Sequence, residues 1–119
     1  KFVGKVVAQL DNPVVKALDD VTGSPTYAKD FVAGIMRLLD EGKSGVFHIN
    51  NQGAATRADV ALHIATILKP VVRVEAVQGS YFNLSANRLK NESMVSSDPS
   101  MRPWQEALTE YLQSEWKPL

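Results

Sequence analysis

The chain has 119 residues, and its 13 basic and 13 acidic side chains give a formal net charge of zero at pH 7. A neutral chain lacks the basic surface that attracts nucleic acid or anionic lipid, so we expect neither kind of partner. It contains no cysteine and two histidines, which excludes disulfides and cysteine-based metal or redox sites. No apolar run approaches the roughly 18 residues of a membrane span. We expect a soluble, cytoplasmic, single domain over residues 1–119, without a metal site.

The beginning of the chain predicts a helix and a strand. Apolar residues at helical spacing predict a helix over residues 1–11, which Asn12 and Pro13 end. The short run VVKAL, rich in β-branched residues, predicts a strand over residues 14–18. The sequence TGSPT that follows at 22–26 has the glycine and proline content of a turn.

The clearest helical pattern in the chain runs from Tyr27 to about Glu41. Thr26 is a candidate cap for the start of this helix, and Gly42 is a candidate for its end. Its apolar positions are Ala28, Phe31, Val32, Ile35, Met36, Leu38 and Leu39.

The middle of the chain predicts a strand followed by a helix. The segment GVFHIN, residues 45–50, has enough large apolar groups to predict a strand covered on both faces. We interpret His48 within it as a hydrogen-bonded core residue. Thr56 and Asp59 have the spacing of a capping box at the start of the next helix, which Pro70 ends.

The last third predicts one strand, a long polar segment and one helix. VVRVEAV alternates well enough to predict a strand over residues 71–77. Residues 78–101 are polar and aperiodic, and segments of this length in compact domains are usually functional. Pro103 suits the first position of a final helix, with Trp104 in the core. The alternation of elements predicts an α/β fold, or α+β for an isolated piece, with about four helices and a small mixed or parallel sheet.

The sequence motifs of cofactor-dependent catalysis are missing. The glycines form neither G-x-G-x-x-G nor G-x-x-x-x-G-K-[ST], so we expect neither a dinucleotide site nor a P-loop. No tyrosine is followed four residues later by lysine, and no G-x-S-x-G elbow offers a nucleophilic serine. We therefore assign no catalytic and no cofactor-binding residue to this chain.

The remaining candidates are groups that bind an anion. The amides of Gly23 and Ser24, the hydroxyls of Ser24 and Thr26, and the following helix N-terminus are all suited to that role. Turn chemistry alone explains the same residues, so both interpretations stay open. Arg88 and Lys90, in the long polar segment, are suited to pair with a diphosphate, and the alternative is a solvated basic pair.

Three segments together resemble one enzyme family. They read GSPTYAKDFVAGI, GVFHINN and RPWQEALTEYL, and their order resembles the carboxy-terminal part of the dTDP-4-dehydrorhamnose reductase family. That family belongs to the extended short-chain dehydrogenase/reductase superfamily of nucleotide-sugar enzymes. The resemblance covers residues 1 to about 113.

The resemblance implies one part of a two-part enzyme. In the family, an amino-terminal Rossmann portion binds NADPH and carries the Tyr-x-x-x-Lys pair, and the carboxy-terminal portion supplies the nucleotide-sugar pocket. This chain matches only the second portion, so we expect it to bind a nucleotide sugar of the dTDP-hexulose class, to bind no cofactor itself and to be inert alone. Without the Rossmann half it should expose an apolar face, along the helix at 1–11 and the strand at 45–50, and self-associate.

The resemblance also implies positions for the substrate site. The turn formed by Gly23, Ser24, Pro25, Thr26 and Tyr27 would lie beside the sugar-nucleotide cleft. Arg88 matches the arginine of the family's Arg-Pro-x-x-Ser segment, with Lys90 close behind it. Here leucine replaces the proline, so we expect a change in nucleotide preference, because proline fixes the backbone that aims the arginine.

Two alternatives to a substrate-binding part of this reductase remain open. Relatives of the reductase serve as non-catalytic regulatory subunits, such as that of methionine adenosyltransferase, and use the same fold to contact a protein partner. The other alternative is the carboxy-terminal part of an epimerase or dehydratase that acts on UDP- or GDP-sugars. Binding of nucleotides, and the choice among them, distinguishes these functions.

Overall fold

The computed structural model describes residues 2–83 and 85–116. Its helices and strands are mixed along the chain, so the predicted α/β class is confirmed. The chain forms two compact units, each assembled from two separate stretches of sequence. Unit one comprises Lys1–Gly23 and Ala55–Glu92, and unit two comprises Ser24–Ala54 and Ser93–Leu119.

The helices and strands follow one another in an order close to the predicted one. In chain order they are α1 (Phe2–Ala8), β1 (Val14–Leu18), β2 (Thr22–Gly23), α2 (Ala28–Asp40), β3 (Ala55–Thr56), α3 (Arg57–Leu68), β4 (Arg73–Val77) and α4 (Trp104–Glu110). A 3-10 turn at Gly79–Phe82 follows β4, and a π-helical turn at Tyr111–Glu115 continues α4.

Unit one has a conventional apolar core. β1 and β4 pair in parallel, with Val14 opposite Arg73 and Leu18 opposite Val77. Thr56 and Asp59 form the predicted capping box, in which each side chain accepts a hydrogen bond from the other residue's backbone N–H. The buried apolar side chains include Val6, Leu10, Val15, Ala17, Leu18, Val60, Ala61, Ile64, Ala65 and Val72. On the first helix Val6 and Leu10 are buried and Phe2, Val3 and Val7 are half-buried, so its apolar face is less exposed than predicted.

Unit two is built differently, because α2 turns its apolar side outward. The helix ends as predicted, since Gly42 has a φ of 66° and its N–H donates to the carbonyl of Leu39 while that of Lys43 donates to Leu38. At its start the cap residue is Tyr27 rather than Thr26. Five of the large apolar side chains of this helix are exposed. These are Phe31, Val32, Ile35, Met36 and Leu39.

The segment at residues 45–50 also differs from its prediction. It forms no strand with any described residue, and the second strand pair of the chain joins β2 to β3 in antiparallel fashion instead. Ile49 and Asn50 are buried, whereas Val46 and His48 are exposed. His48 is therefore not a core residue. Trp104 is buried at the start of α4, as predicted.

We predict that Gly34→Ala destabilises the protein. A Cβ atom at this buried position of α2 would stand 2.7 Å from Cγ2 of Ile49 and 3.3 Å from Sδ of Met101. Alanine favours a helix by up to about 1 kcal/mol over glycine. We expect the clash to outweigh that gain and lower the free energy of unfolding by about 1–3 kcal/mol. Urea denaturation measures this difference.

Gly23→Ala is the matched control, because nothing lies within 4 Å of the added Cβ at that position. It should shift the free energy of unfolding by no more than about 0.5 kcal/mol. A Gly34→Ala protein as stable as the original chain would contradict the close contact between α2 and Ile49.

Candidate functional site

The two predicted basic residues, Arg88 and Lys90, line an open cleft of about 330 Å³ in unit one. Both side chains are exposed, and neither forms an ion pair with any residue that the structure describes. Unpaired cations at the edge of a cleft attract an anion. The other residues that line the cleft are Leu18, Asp20, Val21, Gly79, Ser80, Asn83, Ala86 and Asn87.

Asp20, which was not among the predicted binding residues, also lines this cleft. Its Oδ2 atom accepts a hydrogen bond of 2.9 Å from the N–H of Gly79. Its Oδ1 atom is buried and has no partner among the described residues. A buried carboxylate oxygen without a partner is costly. A ligand hydroxyl or amide that donates to Oδ1 would remove that cost.

The backbone of the basic segment is anchored although its proline is missing. The N–H of Thr22 donates to the carbonyl of Lys90 at 2.9 Å, and the N–H of Glu92 donates to the carbonyl of Thr22 at 2.7 Å. These bonds form a parallel bridge between Thr22 and Asn91. The bridge fixes residues 90–92 beside Gly23, which pairs with Ala55 in the small antiparallel sheet.

The rest of the predicted turn, Ser24 to Tyr27, belongs to unit two and is held by local hydrogen bonds. The Ser24 hydroxyl accepts from the N–H of Met94 at 2.8 Å and donates to its carbonyl at 3.3 Å. The Thr26 hydroxyl donates to the carbonyl of Ser24 at 3.0 Å. Both hydroxyls thus have structural roles within the turn. A ligand contact by the turn stays a prediction.

Tyr27 is fixed at its backbone and packed at its ring. Its N–H donates to Oδ1 of Asn51 at 2.9 Å, and its ring meets that of Tyr111 edge to face, with 5.7 Å between the centroids. Burial and the neighbouring carboxylate of Glu115 raise the pKa of the phenol. Tyr27 therefore keeps its proton at neutral pH.

Behind the turn lies a polar network centred on Asn51, whose side chain is fully buried. Besides accepting from Tyr27, it donates through Nδ2 to Oδ2 of Asp30 at 2.7 Å and to the carbonyl of Arg102 at 3.1 Å. The Arg102 guanidinium donates to both oxygens of Asp30, at 2.8 and 2.9 Å, and to Glu110 at 2.6 Å. Every polar atom of the Asn51 side chain is thereby bonded.

The charges in this network shift one another's proton affinities. Burial alone would raise the pKa of Asp30, but hydrogen bonds from Arg102 and Asn51 and the positive charge of Arg102 lower it below its ordinary value. Hydrogen bonds to Asp30 and Glu110 raise the pKa of Arg102. Both groups stay charged at neutral pH, so neither is suited to act as a general acid or base there. Their arrangement is structural.

A second ion pair ties α2 to the end of the long polar segment. Nε and Nη2 of Arg37 donate to Oδ2 of Asp98 at 2.9 and 2.7 Å. The hydroxyl of Ser100 donates to Oδ1 of Asp98 at 2.6 Å. The Ser100 hydroxyl, opposed by burial and helped by Arg37, lowers the pKa of Asp98 from 3.8 to about 2.

We predict that this ion pair makes stability depend on acid pH. Because the pKa of Asp98 is lower in the folded than in the unfolded chain, its contribution is present above about pH 4 and lost as the pH falls through about 2. Asp98→Asn should unfold more easily than the original protein at pH 6. The difference between the two proteins should shrink towards pH 2. Urea denaturation at several pH values tests both statements.

Asp11→Asn serves as the control, since the side chain of Asp11 is 97% exposed in its ion pair with Lys69. This substitution should leave the pH dependence unchanged. An Asp98→Asn protein that loses stability in acid as steeply as the original chain would contradict the assignment.

The described part of the chain contains neither a candidate metal site nor a candidate membrane-spanning helix. Within residues 2–83 and 85–116, no three side chains among histidine, aspartate and glutamate are grouped to hold a metal ion. Over the same ranges, no helix combines the length and the apolar character needed to span a membrane.

The chain is similar to bacterial nucleotide-sugar enzymes. Solved structures of dTDP-4-dehydrorhamnose reductases from Yersinia enterocolitica and from Bacillus anthracis, the latter in complex with NADP, match 94% of this chain. Their sequence identities are 30% and 24%, and their TM-scores are 0.80 and 0.82. The spore coat polysaccharide biosynthesis protein SpsK of Bacillus subtilis is 26% identical over 104 residues, or 83% of this chain.

In each case the match covers less than half of the relative. The chain spans 42% of each of the two reductase chains and 36% of SpsK. The model of one family, the RmlD substrate binding domain, matches residues 1–116. That match covers nearly the whole sequence and agrees with the fold. The chain therefore belongs to the RmlD substrate binding domain family.

Proposed function

We propose that this chain is the nucleotide-sugar-binding part of an NADPH-dependent oxidoreductase similar to dTDP-4-dehydrorhamnose reductase, which acts in the synthesis of dTDP-rhamnose or a related deoxysugar. The observation that carries this proposal is the match of the substrate-binding family to residues 1–116. The two reductase structures support it, and the bound NADP in one of them supports NADPH as the cofactor of the whole enzyme. In this proposal residues 1–119 act as one cytoplasmic substrate-binding domain.

The cleft in unit one supplies suitable chemistry for a nucleotide diphosphate. Arg88 presents a planar guanidinium that binds phosphate oxygens in pairs, and Lys90 adds a second charge. Oδ1 of Asp20 has no partner among the described residues, so we assign it to a hydrogen-bond donor on the base or the sugar. We also keep Gly23, Ser24, Pro25, Thr26 and Tyr27 as proposed substrate-binding residues, acting through their backbone because the hydroxyls of Ser24 and Thr26 are engaged.

Hydride transfer needs groups that this sequence does not provide. It has no glycine-rich cofactor turn and no Tyr-x-x-x-Lys pair to protonate a carbonyl oxygen as the hydride arrives. We therefore propose that the chain binds the nucleotide sugar and that an NADPH-binding Rossmann half performs the chemistry. The chain alone should bind the nucleotide without turning over the sugar.

A second candidate function is a non-catalytic protein-interaction module of the same fold. The observation that favours it is the exposed apolar side of α2, where Met36 is 51% and Leu39 is 64% exposed. Such a module would bind a protein and ignore nucleotide sugars. A preference for UDP or GDP over dTDP would instead indicate an epimerase-like or dehydratase-like relative.

We predict that dTDP binds in the cleft beside Arg88 and Lys90. Titration with dTDP should shift the backbone amide NMR signals around both residues and in the turn from Gly23 to Tyr27, whereas NADPH should shift neither group. Replacing Arg88 and Lys90 together by glutamine should weaken dTDP binding by tenfold or more. Loss of charged hydrogen bonds, each worth about 1.5–3 kcal/mol, gives this magnitude.

Arg73→Gln is the matched control, because Arg73 is an exposed arginine of unit one that faces Glu75 rather than the cleft. It should leave the affinity for dTDP unchanged. If the Arg88/Lys90 variant and Arg73→Gln lose the same affinity for dTDP, the loss reflects net charge alone. That result would contradict a binding site at the cleft. If dTDP, UDP and GDP cause no change in the backbone amide chemical shifts, the protein-interaction module is favoured.

A further inference from the structure

Strand β4 in unit one pairs along one of its two edges. It lies parallel to β1, and the two strands form a two-stranded sheet. The N–H of Arg73 donates to the carbonyl of Pro13, and the carbonyl of Val77 accepts from the N–H of Asp19. Backbone groups of successive residues in a strand point to opposite sides, so Glu75 also bonds towards β1.

The backbone groups on the other side form what we call the outer edge of β4. The N–H and carbonyl groups of Val74 and Ala76 point away from β1 by the same alternation. Neither residue forms a hydrogen bond outside the ladder with any described residue. An open edge is a template for another strand, and proteins that avoid such pairing often place an unbalanced charge on it. The side chains of β4 therefore decide what this edge does.

These side chains are arranged symmetrically about Val74. Residues 71–77 read VVRVEAV, so a positive residue precedes Val74, a negative residue follows it, and apolar residues flank both. The side chains of Arg73 and Glu75 are 74% and 45% exposed, and their closest charged atoms are 3.8 Å apart within the strand. An exposed pair of this kind contributes little to stability. Both charges are thus available to a second strand, and they cancel each other.

We infer that the outer edge of β4 pairs with the same edge of a second copy of the chain, antiparallel and in register about Val74. In that register Val74 lies opposite Val74 of the second copy, and each Arg73 lies opposite a Glu75. Opposite charges and apolar pairs directly across two strands stabilise them. The remaining pairs join Val71 to Val77 and Val72 to Ala76. Val71, which is 85% exposed in the single chain, gains an apolar neighbour.

Neighbouring symmetric registers lose this match. A two-fold axis at Glu75 places two glutamates opposite each other, and an axis at Arg73 places two arginines opposite each other. Like charges directly across a strand pair are destabilising. An axis at Ala76 leaves Glu75 opposite Val77. A symmetric pair of identical surfaces must be complementary to itself, and the register about Val74 meets that condition.

The backbone groups of the outer edge are free to bond in this register. The two Val74 residues donate to each other, and the N–H of each Ala76 donates to the carbonyl of Val72 in the other copy. The N–H of Val72 keeps its bond to the carbonyl of Lys69. One strand from each copy is smaller than a standard interface of about 1,200–2,000 Å². We therefore expect a dimer that forms in proportion to concentration.

This inference goes beyond the proposed function and uses another surface, because none of residues 71–77 lines the cleft beside Arg88 and Lys90. A chain that stays monomeric but binds dTDP would overturn the dimer and leave the proposed function standing. A chain that dimerises as described but ignores dTDP would do the reverse.

The first test measures the mass of the full chain by sedimentation over a series of concentrations. Arg73→Glu and Glu75→Arg each place like charges opposite each other twice, so each should weaken association by about tenfold or more. An equimolar mixture of these two variants again has opposite charges across both pairs. It should associate as the original chain does, as a mixed dimer.

Lys43→Glu is the matched control for charge. Lys43 is an exposed residue of unit two that pairs with Glu41, and its reversal changes the net charge as much as Arg73→Glu does. This control should associate like the original chain. Met36→Glu/Leu39→Glu tests the other candidate surface, the exposed apolar side of α2, and should also leave the dimer intact.

The second test examines the register with introduced cysteines, since the chain has none of its own. The two Val74 Cα atoms should stand about 5.5 Å apart, which lies within the range of a disulfide. Mild oxidation of Val74→Cys should therefore give a covalent dimer. Ala76→Cys should not, because the two positions 76 would lie four residues apart along the strands, or about 13 Å.

Three results would overturn the inference. The first is a chain that is monomeric at every concentration. The second is a mixture of the two charge variants that associates no better than either variant alone, or covalent dimers from Ala76→Cys rather than Val74→Cys. The third is association that Met36→Glu/Leu39→Glu abolishes and Arg73→Glu leaves unchanged, which would assign the contact to α2.

Discussion

Unit two depends on one buried side chain, the amide of Asn51. It accepts from the N–H of Tyr27 and donates to Asp30 and to the carbonyl of Arg102, so it joins the turn before α2, the first turn of α2 and the residue before Pro103. A buried amide costs free energy unless its polar atoms are bonded, and here they all are. The guanidinium of Arg102 closes the network by binding both oxygens of Asp30.

This network explains why α2 is oriented as it is. Ion pairs to Asp30 and Arg37 and a hydrogen bond from the Asn51 side chain hold the helix to its unit. Gly34 has no side chain to keep the backbone away from Ile49. The apolar side of the helix is then left for another surface. Unit one shows the usual arrangement, with Val15 and Ile64 buried and with the exposed charges of Arg88 and Lys90 at the edge of a cleft.

The two units therefore suggest a division of roles. Unit one carries the charges suited to a nucleotide, in a segment anchored by the bridge between Thr22 and Asn91. Unit two carries the exposed apolar side of α2.

Local signals in the sequence predicted local structure well. The run VVKAL predicted β1, the Thr56 and Asp59 pair predicted the capping box, and Gly42 predicted the end of α2, because each depends on residues a few positions apart. Which side of a helix is buried depends on distant residues. The partners that hold α2, Asp98 and Arg102, lie about sixty and seventy residues further along the chain and have no short-range signature.

The same limit applies to the site and to residues 45–50. Arg88 and Lys90 are candidates from the sequence and their role stays a prediction, whereas the bond of Asp20 to the distant Gly79 had no short-range signal. GVFHIN has the composition of a buried strand, yet a strand requires neighbours, and the described residues pair with it only at His48.

The most direct test of the central claim is a crystal structure of this chain grown with dTDP. The account predicts a nucleotide whose phosphates contact Arg88 and Lys90 and whose base or sugar donates a hydrogen bond to Oδ1 of Asp20. An empty cleft at saturating dTDP, or a nucleotide bound at another surface, would contradict it.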